Sequence, residues 1–594
     1  MSSFDIDMHK SSGVTSTWTH RGKRFLKKIE LKGQDGDIIK VNPWINRDIV
    51  PLPPHRRTWG PWSFAGFWMT DGIHISTWAQ ASSLLALGLN VWQAVLCILI
   101  AEIFIATAFI FNGLPGAKWH IGFPVINRYV WGMYGSYFPL LMRILLSIVW
   151  YGTQLWWGAQ ACKVVIASIW PSFYTMKNTL PASSYVETND LIALIVFWVV
   201  SFPLLFVHPE KYKIPFRFAS ASITVTIITL FAVTLGKAHG AGPLIHHPYQ
   251  YEKATALKGS KLAWQMAHSI IGSIGGSSAG ILNQADYSRF AKRPRDQIWA
   301  QIFAIPCTSL ITAILGIFAT SAAVEIWPTA GLLWKPYQLL TAYQEHGGRG
   351  ARAGAFFGGV AFTISQLGIN IAGNAMSGGM DLSGLFPQYF NIRRGAIFTA
   401  ILALTINPWQ LVNKANTFIN VLGGFTVFLG PATGLMITDY FWHRRSNIRL
   451  SHLYIAGPES DYWYFHGFNL RAFAAWVLGT WITLPGFIAA VSTKKITVAL
   501  GWTYMYDVAW PLGFAVSSLS YMLFNTIWPV RGAGAVDEYD VFGTFGPAEV
   551  DPSAPMDSNT TVLASSEGEG EELFEGEKRV MEDKVTVSPV QNYI

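Results

Sequence analysis

Long apolar stretches alternate with short polar loops along most of this chain. A helix that crosses a bilayer needs about 20 consecutive, mostly apolar residues. Windows of that length predict twelve membrane-spanning helices, near residues 62–87, 91–113, 138–169, 190–207, 216–236, 264–284, 299–326, 353–378, 395–412, 417–440, 471–491 and 507–529. The loops between them are too short for a soluble domain. The pattern therefore predicts an all-α membrane domain at 62–530, with polar tails at 1–61 and 531–594.

Lysine and arginine concentrate in alternate loops, which predicts the orientation of the chain. Cytoplasmic loops of membrane proteins carry an excess of these residues. The loops on the richer side, including the leading tail, contain Arg21, Lys23, Arg24, Lys27, Lys28, Arg56, Arg57, Lys211, Lys213, Arg217, Arg289, Lys292, Arg293, Arg295, Arg393, Arg394, Arg444 and Arg445. The opposite loops carry fewer, namely Lys253, Lys258, Lys261, Lys494 and Lys495. Both termini are therefore expected in the cytoplasm.

The composition agrees with a lipid environment and narrows the class of function. Only 13% of residues are charged, against about 25% in soluble domains. The net charge of +8 lies in short loops and not on one basic face, so no nucleic acid is expected as a partner. The three cysteines (Cys97, Cys162 and Cys307) lie in apolar segments without metal-ligand spacing. We expect no metal, no cofactor and no disulfide framework.

The last part of the chain has a different composition. Beyond residue 531 it is acidic and rich in serine and glycine, with Glu567, Glu569, Glu571, Glu572, Glu575 and Glu577. Such a segment cannot bury enough apolar surface to fold alone. It is predicted to be a disordered cytoplasmic tail, either simply solvated or bound by trafficking machinery. The glycosylation sequon at Asn559 would be unused on that side of the membrane.

Two predicted spans contain residues that interrupt helices. Thr70-Asp71-Gly72 lies inside the first span, with His74 one turn later, and the sixth contains the run Gly272–Gly280. Glycine weakens a helix interior by about 1 kcal/mol relative to alanine. Broken helices at corresponding places in two five-helix halves are typical of inverted-repeat transporters. The alternatives are close helix packing at the small residues and a simple capping role for Asp71.

Two further spans place polar side chains on one helical face. Trp150 and Gln154 are four residues apart in the third span, and Asn370 and Asn374 are four apart in the eighth. Polar groups at membrane depth are costly, so a cluster of them indicates a functional site. An indole beside carboxamides can stack on a flat ring and hydrogen-bond its edge. Packing of Trp150 and interhelical hydrogen bonding by the amides are the competing interpretations.

Several motifs between Asn46 and Pro529 resemble one transporter family. The chain is similar to the nucleobase-cation-symport-1 family, especially its fungal branch of uracil, allantoin, uridine and thiamine permeases. The similarity lies in Asn46-Arg47-Asp48, Arg57-Thr58-Trp59-Gly60, Trp150-Tyr151-Gly152-Thr153-Gln154, Asp286-Tyr287-Ser288-Arg289-Phe290, Asn370-Ile371-Ala372-Gly373-Asn374 and Asn391-Ile392-Arg393-Arg394-Gly395. It implies a LeuT-like core of ten helices in a 5+5 inverted repeat, two peripheral helices, and transport by alternating access.

The resemblance also assigns roles to individual residues. Trp150 matches the stacking tryptophan of the family, and Gln154 and Asn374 match its substrate-binding amides. His74 occupies a position where bacterial relatives have a glutamine beside the substrate, and Gly276 matches a backbone contact to it. Ser277 stands where the family has a second stacking aromatic residue, which removes half of an aromatic sandwich.

The resemblance bears on the coupling ion in the same way. Sodium-coupled relatives use carbonyl groups that match Thr70 and Ile73, together with three eighth-span positions that match Ser365, Gly368 and Ile369. The last two offer no side-chain oxygen, and hard cations such as sodium need several oxygen ligands. The sequence therefore favours protons as the coupling ion, with Asp71 and His74 as the groups that could carry them.

These features lead to one main hypothesis. The chain is expected to import a nucleobase or related small heterocycle, such as uracil or allantoin, by proton symport at the plasma membrane of a fungal cell. Stretches at 283–287, 350–354 and 377–381 favour instead a thiamine or nicotinamide riboside permease. A nutrient receptor that does not transport is the alternative class. No catalytic constellation or repeated pore motif suggests an enzyme or a channel.

Overall fold

The computed structural model describes residues 27–31, 41–207, 213–249, 257–492 and 496–545. Within these ranges the regular elements are helices, accompanied by three isolated β-bridges and no strand. The fold class predicted from the hydrophobic pattern is confirmed as all-helical. The acidic residues of the tail between 567 and 577 and the sequon at Asn559 lie outside the described residues, as do the cations Arg21, Lys23, Arg24, Lys211, Lys253, Lys494 and Lys495.

The structure describes twenty α-helices between residues 61 and 527, besides short 3₁₀- and π-helical turns. They are numbered in chain order: α1 Pro61–Gly72, α2 Ile75–Ser83, α3 Val91–Trp119, α4 Phe123–Trp131, α5 Tyr137–Ile169, α6 Thr188–Ser201, α7 Lys213–Lys237, α8 Ser260–Leu282, α9 Ala285–Ser288, α10 Asp296–Ile326, α11 Pro336–His346, α12 Arg349–Ile369, α13 Met376–Leu385, α14 Ile392–Leu402, α15 Pro408–Leu411, α16 Ala415–Thr438, α17 Leu470–Trp481, α18 Leu484–Val491, α19 Leu500–Tyr506 and α20 Ala509–Ile527.

Each predicted span coincides with one or more of these helices. Seven helical stretches of the described chain are long and apolar enough to cross a membrane. The number is eight if α17 and α18, which meet at an angle of 52°, together form one span. The other predicted spans fall on helices that do not meet the same conditions of length and hydropathy. The count of twelve therefore remains a prediction.

The break predicted in the first span is confirmed. Helix α1 ends at Gly72 and α2 begins at Ile75, because Ile73 (φ −112°, ψ 79°) and His74 (φ −154°, ψ 176°) leave the helical region. The Nδ1 atom of His74 accepts a hydrogen bond from the Ser76 backbone N–H at 3.0 Å and so caps α2. Gly72 lies so close to α10 that a Cβ atom there would overlap the Thr308 hydroxyl.

The break predicted in the sixth span is wrong. Helix α8 runs without interruption from Ser260 to Leu282, through the whole run of glycines and serines, and only Asn283 and Gln284 separate it from α9. The small residues instead allow close packing against α16, because a Cβ atom on Gly275 would overlap the carbonyl oxygen of Leu422. Contact along the two helices offsets the intrinsic cost of glycine in α8.

Substituting Gly275 by alanine should therefore destabilise the fold. Its Cβ would meet backbone of α16 that cannot rotate away, and overpacking typically costs about 1–3 kcal/mol. We expect a lower unfolding temperature for the purified protein in detergent. The matched control is Gly354→Ala, in α12, where no heavy atom lies within 4 Å of an added Cβ. Equal unfolding temperatures for the two variants would contradict this account of the glycine run.

Part of the segment predicted as a polar N-terminal tail is docked against the helices. The Nδ2 atom of Asn46 donates to Ser383 Oγ at 3.0 Å and to the Pro387 carbonyl at 3.1 Å. The Asp48 carboxylate caps α14 by accepting from the Ile392 N–H at 3.0 Å. The Trp59 N–H donates to the Phe290 carbonyl at 3.0 Å. The Asn46-Arg47-Asp48 motif is thus a docking element for this end of the helical domain.

Candidate functional site

A cavity of about 150 Å³ lies where the break between α1 and α2 faces α3, α5, α8, α10 and the end of α12. It contains most of the residues singled out from the sequence. Those that line it are Asp71, His74, Trp150, Gln154, Gly276, Ser277 and Asn374. Residues that are far apart in the chain therefore meet around one small space, which we call the central cavity.

Helix α5 supplies two of its walls through Trp150 and Gln154. The Nε2 atom of Gln154 donates to Ser76 Oγ on α2 at 2.6 Å, whereas its Oε1 atom is buried without a hydrogen-bond partner among the described residues. The Nε1 atom of Trp150 is likewise buried without one. Buried polar atoms nearly always have partners. One acceptor and one donor are thus left for a group that would enter the cavity.

Asn374 reaches the central cavity from an irregular helical segment. Residues Asn370–Ala375 form a π-helical turn between α12 and α13. The Nδ2 atom of Asn374 donates to Asn370 Oδ1 at 3.2 Å, and Asn370 in turn donates to the Tyr151 carbonyl on α5 at 3.2 Å. The predicted pairing of the two asparagines on one face is confirmed. Turns of this kind are rare and often occur at functional sites, and sequence periodicity did not reveal this one.

His74 borders the cavity and also caps the N-terminus of α2. Its Nδ1 atom accepts the capping hydrogen bond of α2, and its Nε2 atom lies 3.4 Å from the Thr77 hydroxyl. This hydrogen-bond pattern assigns the proton of the neutral ring to Nε2. Protonation of Nδ1 would remove the lone pair that caps α2. His74 is consequently a poor proton carrier, although its ring still borders the cavity.

The α8 wall is formed by Gly276 and Ser277, with help from a residue that sequence analysis did not single out. Gln80 on α2 donates from Nε2 to the Ser273 carbonyl at 2.8 Å, and its side-chain oxygen fills the space where Gly276 lacks a Cβ. Ser277 lines the cavity, as expected from its position. Aromatic groups come instead from elsewhere, and the rings that border the cavity besides Trp150 are Phe67, Trp68, Phe109 and Tyr287.

Three of the four predicted cation-coupling residues do not line the central cavity. The Thr70 hydroxyl is engaged with the Gly66 carbonyl at 3.0 Å and with Ser220 Oγ on α7 at 2.6 Å. Ile73 lies in the helix break, and Ser365 is buried in α12. Asp71 is the one member of this set that the structure places at the cavity.

A buried carboxyl group that sequence analysis did not single out also faces this space. Glu102, on α3, is 8% exposed and lines the cavity together with Asp71. Ser309 on α10 hydrogen-bonds one part of the carboxyl group, and Oε2 has no partner among the described residues. The signal was present in the sequence, because an acidic residue in the middle of the second predicted span is unusual.

A polar network forms the floor of the central cavity, at the end of α5 nearer to the docked segment 41–60. Arg143 Nε lies 3.6 Å from an oxygen of Asp381 on α13, and both side chains are buried. In the amide orientation that satisfies its neighbours, Asn283 accepts from Arg143 Nη2 at 3.0 Å and from Ser377 Oγ at 2.7 Å. Tyr287 contacts the same Ser377 hydroxyl at 3.2 Å. The floor thus joins α5 to the α8–α9 link and to α13.

Comparisons with known proteins identify the family of this chain. Residues 51–513 match a family described as "Permease for cytosine/purines, uracil, thiamine, allantoin". The allantoin permease of Saccharomyces cerevisiae is 34% identical, over 83% of this chain and 77% of the permease. The uracil permease of the same yeast is 32% identical, over 86% and 81%.

A solved structure shows the same fold. Mhp1, a nucleobase-cation-symport-1 family transporter in a closed conformation with bromovinylhydantoin bound, superposes with a TM-score of 0.64. The match covers 82% of this chain and 98% of Mhp1 at 21% sequence identity. At that identity the likeness is one of fold, and the assignment of ligand contacts has to come from the side chains of this chain.

Proposed function

The chain belongs to the family of permeases for cytosine/purines, uracil, thiamine and allantoin, and from this premise we propose that it imports a single-ring heterocycle of the uracil or allantoin kind by proton symport. As a member of this family it is a membrane permease for a small molecule and not an enzyme. The proposed cycle is alternating access of the central cavity to the two sides of the membrane.

The observation that supports this substrate class is the set of unpaired polar atoms around a small cavity. Uracil and allantoin carry alternating N–H donors and carbonyl acceptors along a ring edge. Gln154 Oε1 offers an acceptor, Trp150 Nε1 a donor, and the Asn374 amide both kinds of group. A cavity of about 150 Å³ suffices for a molecule of the size of benzene. The site therefore favours one flat ring over a ribosylated or two-ring ligand.

A second candidate is a cationic vitamin or vitamin precursor, of the thiamine or nicotinamide riboside class. The observation in its favour is the pair of carboxyl groups, Asp71 and Glu102, that border the central cavity. If both were ionised, they would attract a positively charged ring. The size of the cavity argues against this candidate, because thiamine carries two rings and nicotinamide riboside carries a ribose.

The proposed coupling uses the same two carboxyl groups. A buried carboxyl without a cationic partner costs much free energy when ionised in a membrane protein. Asp71 and Glu102 interact electrostatically, so loss of a proton from one disfavours loss from the other. Gly368 and Ile369, at two of the positions that hold sodium in relatives, offer no side-chain oxygen. These features support proton coupling through Asp71 and Glu102, whereas His74 caps the N-terminus of α2.

The membrane arrangement is part of the same proposal. The hydrophobic pattern and the loop cations support twelve spans and cytoplasmic termini, and the resemblance to the family implies a 5+5 inverted-repeat core with two peripheral helices. The proposed location is the plasma membrane, with trafficking machinery acting on the tails. A receptor that binds the same ring without moving it would share the cavity but would not accumulate substrate.

Uptake in cells that lack their own permeases tests the proposal. Labelled uracil should enter, unlabelled uracil or allantoin should compete, and thiamine and nicotinamide riboside should compete weakly. A protonophore should stop accumulation, and replacement of sodium by choline should not. Strong competition by thiamine would favour the second candidate. Surface expression with binding but no uptake would favour a receptor, and strict sodium dependence would contradict proton coupling.

Position 277 gives a separate test of the cavity. Replacing Ser277 by phenylalanine adds a ring to the α8 wall, so we expect a change in the order in which heterocycles compete for uptake. Ser277→Ala, which adds no ring, should keep the wild-type order. Fluorescence of a tagged protein would verify equal delivery to the surface. Identical competition profiles for all three proteins would show that position 277 does not contact substrate.

A further inference from the structure

A second, larger cavity lies at the opposite end of α5 from the polar floor. Its volume is about 500 Å³, and it is bordered by the outer part of α5, the connection from α5 to α6, the segment 330–346 and the region near Trp409. Gln160 and Lys163 reach it from α5. Gln160 lies about 9 Å beyond Gln154 along the helix axis, at 1.5 Å per residue. We call this space the vestibule. It faces the outside in the proposed orientation.

One cation in the vestibule has no anionic partner. Lys335 is 7% exposed, and its Nζ atom lies over the ring of Trp334 at 4.6 Å and near that of Tyr337 at 5.9 Å. Among the described residues no carboxylate lies within 4.0 Å of it. Lys163, in the same vestibule, is paired with Asp190 at 2.8 Å and is thus already neutralised. Burying an unpaired ammonium group is costly.

The walls around Lys335 are aromatic. Trp156 and Trp409 lie with ring centroids 5.8 Å apart at the vestibule, and Tyr337 borders it as well. A flat ring can stack on such faces, while an ammonium group donates to a carbonyl oxygen or a negative group on its edge. We therefore propose that the vestibule is a second binding site, in which Lys335 captures a planar, carbonyl-bearing heterocycle before it enters the central cavity.

Rings in mutual contact connect α5, one helical turn beyond Gln154, with the neighbour of Lys335. Trp157, which follows Gln154 by three residues on α5, contacts Phe418 of α16 at 5.5 Å between centroids, and Phe418 stacks on Trp334 at 5.9 Å. Lys335 lies over the last of these rings. The vestibule and the central cavity thus lie at successive levels along α5, with Trp150 and Gln154 at the inner level and Gln160 at the outer one. The inference rests on the proposed function of that central site.

The protonation of Lys335 gives the site a distinctive pH dependence. Burial lowers the pKa of Lys335 to about 8. The ammonium group is therefore present at pH 7 and mostly lost at pH 9, and capture should weaken as the pH rises through 8. Burial also raises the pKa of Tyr174 to about 12 and raises that of Tyr337. The other charged or titratable groups at the vestibule are Lys163, Tyr185, Glu187, Asp190, Glu345 and His346.

The test is counterflow exchange of labelled uracil in intact cells treated with a protonophore, so that no proton gradient contributes. KM and maximal rate would be measured at external pH values from 6 to 9 for the wild type, Lys335→Met and Lys335→Arg. We expect the wild-type KM to rise several-fold between pH 7 and 9. Lys335→Met should show a KM raised about tenfold at pH 7. Lys335→Arg should keep a low KM at pH 9, since arginine stays charged.

The control is Lys177→Met, which removes an exposed cation of the connection from α5 to α6 that does not line the vestibule, and it should leave the pH dependence of KM as in the wild type. A merely structural role for Lys335 would lower surface amount or maximal rate without the shift produced by arginine. Two results would contradict the proposed binding site in the vestibule without affecting the proposed function. They are equal KM values for the wild type and Lys335→Met at pH 7, and equal pH profiles for the wild type and Lys335→Arg. If the wild type did not exchange uracil, both the proposed function and the proposed binding site in the vestibule would be wrong.

Discussion

Replacing Gln154 by alanine is expected to reduce uptake at least about 100-fold while leaving the protein at the cell surface. The change removes the acceptor Oε1 that is free for a ligand and the hydrogen bond from Nε2 to Ser76 on α2. Two hydrogen bonds of about 1.5 kcal/mol each, lost together, account for a factor of this size. Initial rates of labelled substrate entry, normalised to surface amount, are the measurement. Asn374→Ala should behave similarly, with a smaller loss.

The matched control for this substitution is Gln301→Ala. Gln301 is a fully buried glutamine on α10 that does not line the central cavity. Its loss tests whether truncation of any buried amide impairs the carrier, and uptake should persist in this variant. Normal uptake in both Gln154→Ala and Asn374→Ala would mean that the central cavity is not the substrate site.

Replacing Glu102 by glutamine is expected to abolish accumulation against a gradient while preserving exchange. Glutamine has nearly the shape of a protonated glutamate and can keep the contact with Ser309, but it cannot release a proton. The carrier should then equilibrate substrate across the membrane, with an internal to external ratio of about one. Steady-state accumulation and counterflow exchange, measured in the same cells, separate the two activities.

Two further variants complete this test. Glu325→Gln, on the exposed end of α10, should accumulate substrate like the wild type. Asp71→Asn should share the phenotype of Glu102→Gln, because the two carboxyl groups border the same cavity. Full accumulation by Glu102→Gln would exclude Glu102 from coupling. Loss of exchange as well as accumulation would make it a binding or structural residue.

The two predicted helix breaks, of which only the first exists, show where local sequence was sufficient and where it was not. The break after Gly72 could be predicted because the poor helix formers Thr70, Asp71 and Gly72 follow one another inside the first span. The glycine run of α8 has the same local weakness, yet the helix is continuous. What decides is the close approach of α16, a contact between residues about 150 positions apart, and intrinsic propensity cannot report it.

The candidate site follows the same rule. Trp150, Gln154, Asn370 and Asn374 could be found because pairs four residues apart mark one helical face. Glu102 and Arg143 are single polar residues within apolar runs, and their partners Ser309 and Asp381 lie more than 200 positions away. A π-helical turn leaves no periodic signature either.

The loop cations predict which side of the membrane each loop faces, and the sequence indicates no other role for them. Arg444 shows that such a residue can also be structural, since it is buried against Asp439 at 2.6 Å and donates to the Tyr464 hydroxyl at 2.6 Å. Its burial depends on the meeting of distant loops.

The charged floor of the central cavity bears on how easily the carrier can reverse. A buried pair such as Arg143–Asp381 contributes little net free energy, because the attraction is largely offset by the water that each ion has given up. In the proposed alternating access, opening of the floor would return that water to both ions, so the closed and open states would lie close in free energy. An apolar pair of the same shape, such as methionine facing leucine, would gain no favourable hydration on opening. Opening of such a seal would expose apolar surface to water, and release of the substrate would be slow.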